Sequence, residues 1–238
     1  MYRILTASKD TYITDKIINR TFRAIDGNVG QAGTLDLFKL YNENTLTGSD
    51  KQREFSRILI KFEIGTLSDM LSDAKIDIND STFKCELKLH DVYGGQTTPT
   101  NFDIIVFPLA QKFDEGSGYD VSQFKDIDAC NFVTASIVNG SPVKWNTKGA
   151  MKSGSLGVSN LDVYTSGTLS GPAGSVLTGL SPEQRFIDGT EDLIVDVTKI
   201  VSTGDPPIGW MYFCNLSNIE TFTLLLNFFM VEKFCRVT

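Results

Sequence analysis

Apolar and polar positions alternate along several stretches of the chain, with the two-residue period of a strand that has one buried and one wet face. In Phe83-Lys84-Cys85-Glu86-Leu87-Lys88-Leu89 the odd positions are apolar and the even ones charged, the pattern of a half-buried antiparallel strand. Arg57-Ile58-Leu59-Ile60-Lys61-Phe62-Glu63 puts Ile58, Ile60 and Phe62 on one face and Arg57, Lys61 and Glu63 on the other. Phe102-Asp103-Ile104-Ile105-Val106-Phe107 is apolar on nearly both faces, which predicts a place nearer the centre of a sheet. Phe222, Leu224, Leu226, Phe228 and Met230 share a face opposite Thr223 and Asn227. Further strands are predicted around 11–13, 35–41, 131–137, 193–197 and 209–213. No long stretch repeats apolar residues at helical spacing, so only short helical turns are expected, near 66–71, 122–126 and 197–201.

Many short strands divided by turn clusters, without βαβ spacing, predict an all-β fold, a β-sandwich or jelly roll with long loops and a few helical turns. The 16 Phe and 7 Tyr favour strands, and the 20 Gly supply turns. A length of 238 residues suits one such domain, so residues 1–238 are read as a single unit. The stretch 149–180 is rich in Gly, Ser, Thr and Leu and nearly free of charge. It reads either as a flexible linker or as a long loop crossing the sandwich. The regular spacing of Leu156, Val158, Leu161, Val163 and Tyr164 favours the loop.

Charge narrows the function classes. The formal net charge is −7, and Lys and Arg are scattered without a basic run. That lacks the electrostatic footprint of a nucleic-acid binder, and an anionic membrane surface would repel the chain. The first ten residues turn polar too early for a signal-peptide core, and the apolar run 222–231 is about half of a membrane span. Synthesis in a cytoplasm is therefore expected. The four cysteines show neither CxxC nor metal-ligand spacing. Cys85 and Cys214 lie in apolar runs and are expected to be buried free thiols, with a Cys214–Cys235 disulfide as the alternative.

Little in the chain points to catalysis. The single histidine, His90, would have to be the base of any Ser-His-Asp or Cys-His arrangement, and no nucleophile-elbow sequence accompanies it. A strand-end hydrogen bond is the plainer role. Catalytic zinc sites commonly take two or three histidines, which one cannot supply. Asp114 and Glu115 could serve as a glycosidase acid pair, against the plainer reading of an acidic turn at Gly116 and Gly118. Asp77, Asn79 and Asp80 lack the central Gly and terminal Glu of a calcium loop. The Asn-x-Ser/Thr triplets at Asn19, Asn79, Asn139 and Asn215 are read as chance matches. No catalytic residue, metal or other cofactor is expected. Tyr119, Trp145 and Trp210 are the candidates for stacking on a sugar, although a packing role suits Trp145 better. Leu156, Val158 and Leu169, in the charge-poor stretch, are candidate interface residues.

Several pieces in order resemble a known family. Asp10-Thr11-Tyr12-Ile13, then Asn28-Val29-Gly30, then Arg57-Ile58-Leu59-Ile60-Lys61-Phe62 resemble the opening of DNRLRE-type modules. Asp73-Ala74-Lys75-Ile76 resembles the element that follows there. Phe113-Asp114-Glu115-Gly116 resembles the family's W-D-E-G loop with Phe in place of Trp, and Asp196-Val197-Thr198 with Gly209 resembles its ending. The six-residue motif that names the family is absent. These modules are similar to carbohydrate-binding jelly rolls. Trp145-Asn146-Thr147-Lys148-Gly149-Ala150 and Glu191-Asp192-Leu193 resemble the long variants of tailed bacteriophages. The resemblance implies a non-enzymatic virion protein of the head, neck, tail or baseplate. Its implied partners are other virion proteins and sister copies. The alternative is an adhesin module that binds host-surface glycans, and a glycoside hydrolase or lyase built on Asp114 and Glu115 is a third class.

Overall fold

Period-two sequences become strands only by pairing, and in this chain one long strand does most of the joining. A computed structural model of the chain describes residues 3–19, 22–42, 52–62, 69–70, 73, 75, 77, 80–92, 101–119, 129–166, 169–170, 176–177, 180–202, 210–215 and 224–237. For residues 3, 40–42, 52–53, 166, 169–170, 176–177, 202, 210–215 and 224–237 the description is of the backbone alone. The regular structure is almost all strand, and the fold is all-β.

Ten strands form one hydrogen-bonded assembly in two sets. The first set runs β16 (Leu193–Asp196), β7 (Cys85–Asp91), β18 (Leu224–Val237) and β5 (Thr34–Asn42), with β1 (Arg3–Leu5) also on β18. The second runs β15 (Glu183–Phe186), β8 (Phe102–Pro108), β17 (Trp210–Asn215), β6 (Gln52–Phe62) and β2 (Ala7–Thr14). Every pairing in both sets is antiparallel. β6 belongs to both: Gln52 to Phe55 pair with β5, and from Ser56 onward the strand pairs with β2 and, on its other edge, β17. Smaller pairs lie outside this assembly. They are β3 (Ile17–Ile18) with β4 (Phe22–Arg23), β9 (Thr134–Val138) with β10 (Ser141–Lys144), and β13 (Leu169–Ser170) with β14 (Val176–Leu177). β11 (Ser153–Ser155) runs parallel to β12 (Val163–Ser166). A five-residue helix, Thr198–Ser202, follows β16.

Side chains of both sets meet in one apolar cluster. Ile58, Ile60, Ile104 and Val106 from the second set pack there with Leu35, Leu37, Leu87 and Leu193 from the first. Burying each such side chain stabilises the fold by roughly 1.5–3 kcal/mol. β7 presents Cys85, Leu87 and Leu89 to this cluster and keeps Glu86 and Lys88 on a partly wet face, in the predicted alternation.

β6 departs from its pattern. The face opposite Ile58, Ile60 and Phe62 carries Arg57 and Lys61 and reads as wet, yet Leu59 between them is 0% exposed. Residues 109–119 and 129–163 cover this side, where Leu59 joins Ile13, Ile105, Phe107, Phe113 and Trp145 in a second cluster. Arg57 is accommodated under that cover. Its guanidinium lies 4.2 Å from the centroid of the Phe55 ring, and Nη1 donates to the Gly149 carbonyl at 2.9 Å. β8 is buried on both faces, as its composition predicts, and lies between β15 and β17.

The stretch 149–180 is not one plain loop, since β11 to β14 fall within it. Leu161, Val163 and Tyr164 are buried and Leu156 is half-buried, whereas Val158 is 52% exposed and pins nothing. The free-thiol expectation for Cys85 is corrected: its side chain faces the core, but it is disulfide-bonded. The side chains of Cys214 and Cys235 lie outside the described residues, as does the predicted turn at 122–126.

Candidate functional site

Two of the segments that carry the family resemblance meet at Asn28, and a third joins them through Glu115. Asn28 is fully buried, and its amide is used at both ends. Nδ2 donates to the carbonyls of Glu115 (2.9 Å) and Cys130 (2.7 Å), while Oδ1 accepts from the N–H groups of Gly30 (3.1 Å) and Gly118 (2.8 Å). Glu115 reaches the other way, its Oε1 accepting from the Asp10 N–H at 2.8 Å. The two backbones touch so closely that a Cβ at position 30 would sit 2.0 Å from the Glu115 carbonyl oxygen. Gly116 has φ +80°, and a Cβ there would lie 2.4 Å from Asn28 Nδ2. Asp10-Thr11-Tyr12-Ile13, Asn28-Val29-Gly30 and the 113–116 loop thus lock into one another. A fourth segment joins through β2 and β6, where Thr11 pairs with Leu59 and Tyr12 with Ile58.

The ending segment makes a second lock. The Val197 N–H donates to the Cys85 carbonyl (2.8 Å), Thr198 Oγ1 accepts from the Cys85 N–H (2.8 Å), and Asp196 Oδ1 accepts from the Thr198 N–H (2.9 Å). Of 73–76, Asp73 and Lys75 are described and form an exposed ion pair, and Gly209 lies outside the described residues.

The acid pair is occupied with backbone. Asp114 Oδ2 accepts from the Ile137 N–H at 2.8 Å and Oδ1 faces Lys9 Nζ at 3.7 Å, while Glu115 holds Asp10. His90 Nδ1 lies 2.9 Å from Asp192 Oδ2 at the exposed end of β7, and Asp192 Oδ1 accepts from the Asp91 N–H at 3.0 Å. Asp80 Oδ1 accepts from the N–H and hydroxyl of Thr82, which hold its carboxyl below the usual range. Asn79 lies outside the described residues. Among the described residues no three His, Cys, Asp or Glu side chains are placed to hold a metal ion. No described helix is long and apolar enough to cross a membrane.

The candidate aromatics are scattered in kind. Tyr119 is 69% exposed next to the Asn28 lock. Trp145 is 5% exposed inside the second cluster, with Nε1 donating to the Asn131 carbonyl at 2.9 Å, so neither face is open to a sugar. The side chains of Trp210 and Leu169 lie outside the described residues. Leu156 packs against Leu161, Tyr164 and Leu180.

Two features escaped the sequence reading. Asp162 is 0% exposed and organises residues 146–152, its carboxylate accepting from the N–H groups of Asn146 (2.7 Å), Thr147 (2.9 Å) and Lys152 (2.9 Å). Nothing in local sequence distinguishes it from a surface aspartate. The second is the β9–β10 hairpin, which turns at Asn139 (φ 51°) and Gly140 (φ 77°). Asn-Gly between alternating residues is a strong hairpin signal and was there to be read. All four β10 residues are exposed, and Ile137, Val138 and Val143 are 46%, 53% and 37% exposed. The base of this arm is fixed by the buried Ala135 and Trp145 and by Asn131 Oδ1, which accepts from the N–H groups of Val133 (2.9 Å) and Thr134 (2.7 Å).

No family model and no curated protein matches the chain. The interlocked geometry of the motif segments and the exposed arm are therefore what a functional reading has to work from.

Proposed function

We propose that this chain is a structural protein of a tailed-bacteriophage virion, a component of the head surface, neck, tail or baseplate. In this reading its two strand sets face one another as a jelly-roll sandwich. It acts through contacts with other virion proteins and sister copies, and it has no catalytic residue. The observation that carries the reading is the Asn28 lock. Segments that resemble one family's successive motifs, far apart in sequence, here hold one another's backbones, as a family's structural core should. Support also comes from the roles of Asp114 and Glu115, which act as backbone acceptors and need no chemistry to explain them.

The test is peptide mapping of purified particles. The reading expects this chain in stoichiometric amounts, and its absence from particles would defeat it. A second reading, a glycan-binding adhesin module, draws on the exposed Tyr119. Under it, glycan-array binding should occur and be lost in Tyr119→Ala.

A further inference from the structure

The β9–β10 arm carries three exposed apolar side chains on a rigid base, and the loop behind it is basic. Residues 129–161 contain three Lys and no Asp, Glu or Arg, in a chain whose net charge is −7. Lys144, Lys148 and Lys152 are all exposed, and the Asp162 carboxylate holds the 146–152 loop that carries the last two. Met151 in this loop is 49% exposed. Among the described residues the acids beside this loop are Asp114, which is paired with Lys9, and Asp162, which offsets part of the charge from beneath the loop.

The edge formed by β16 and the turn before it has the opposite character. Residues 186–198 contain Asp188, Glu191, Asp192 and Asp196 and no Lys or Arg. Ile187 and Ile194 are 61% and 48% exposed. Basic residues of adjoining elements are Lys88, which faces Glu86 at 3.8 Å, together with His90, Arg185 and Lys199. The backbone edge of β16 is already capped: Gln184 Oε1 accepts from the Ile194 N–H at 2.6 Å, and Gln184 Nε2 donates to the Asp192 carbonyl at 2.8 Å. On the arm, Pro142 in β10 has no N–H to offer. Neither surface invites strand addition, so a contact must be made by side chains.

We infer that the arm of one copy docks on the β16 edge of a second copy. Each surface offers exposed aliphatic side chains ringed by charge, and the charges are of opposite sign, the arrangement that steers and orients association. Because two different patches meet, a single contact is head-to-tail and leaves an arm on one copy and an edge on the other from which a ring or filament can grow. This deepens the assembly reading above and rests on it for the supply of many copies.

Sedimentation of the purified full chain tests the inference. The wild type should self-associate beyond a dimer, with affinity falling by about tenfold or more between low and high salt. The arm variant Lys144→Glu/Lys148→Glu/Lys152→Glu and the edge variant Ile187→Lys/Asp188→Lys should each be monomeric while melting like the wild type. Mixing the two should restore association, since each supplies a surface complementary to the other's. A wild type that stays monomeric at every salt and concentration would overturn the inference. So would an edge variant that still associates, because the arm would then bind another arm. Incorporation into particles is measured separately, so a failed self-contact leaves the virion reading standing and the reverse holds too.

Discussion

Asn28 shows how much one buried amide can organise. All four of its hydrogen bonds go to backbone groups that have no water to turn to, so Asn28→Ala leaves buried donors and acceptors unpaired. At ~1–3 kcal/mol for each such group, the variant should lose roughly 3 kcal/mol or more of stability in denaturant titration. Gly30→Ala tests the same contact from the other side. The added methyl meets backbone rather than a movable side chain, and a loss on the order of 3 kcal/mol is expected. Asp36 gives a prediction in pH. Burial raises its pKa above 3.8, against the opposing hydrogen bonds from the Tyr12 and Thr34 hydroxyls and the charge of Lys16. The native state therefore binds this proton more tightly than the unfolded chain does. Its contribution is fully present below pH 3.8 and is lost as pH rises through the folded value. Asp36→Asn should accordingly melt higher than the wild type at pH 7, with the gain shrinking as the pH falls towards 4. A gain that did not change with pH would contradict the assignment. Asn28 and Asp36 both read as ordinary polar residues in sequence, because their burial comes from segments remote along the chain.

At the scale of elements, the alternating strands are where local pattern and structure agree best. β7 is the clearest case, since its partners β16 and β18 leave one face towards the core and one towards water. β6 shows the limit, because residues 109–119 and 129–163 turn a half-wet strand into one covered on both sides. The charge-poor stretch yields a paired test. Leu156 packs against Leu161 and Tyr164, so Leu156→Asp should lower the melting temperature, with a cost of about 2 kcal/mol or more for an unpaired charge in that cluster. Val158→Asp, at a position 52% exposed, should leave the melt nearly unchanged. Asp162→Ala should release the 146–152 loop. Hydrogen exchange at the amides of Asn146, Thr147 and Lys152 would then accelerate, while protection in β6 stays as it was.

For the whole molecule, the cysteines separate what was foreseen from what was not. Non-reducing peptide mapping should find Cys85 in a disulfide and Cys130 as a free thiol, one whose burial, and then the charge of Asp114, push its pKa well up and make it slow to alkylate. A reductant should then lower stability by roughly 2–4 kcal/mol. Recovery of a native Cys85 free thiol would overturn this. The sequence by itself determined the all-β class, the core face of β7 and the two-faced burial of β8, because these follow from the spacing of apolar residues along a single strand. Only the tertiary structure decided that β6 serves both strand sets, that Asn28 ties residue 30 to residues 115–118 and 130 while Glu115 holds residue 10, and that Asp162 is buried. Those outcomes depend on pairings and contacts between segments a hundred or more residues apart, and a period read along one strand carries no information about which remote segment will cover it.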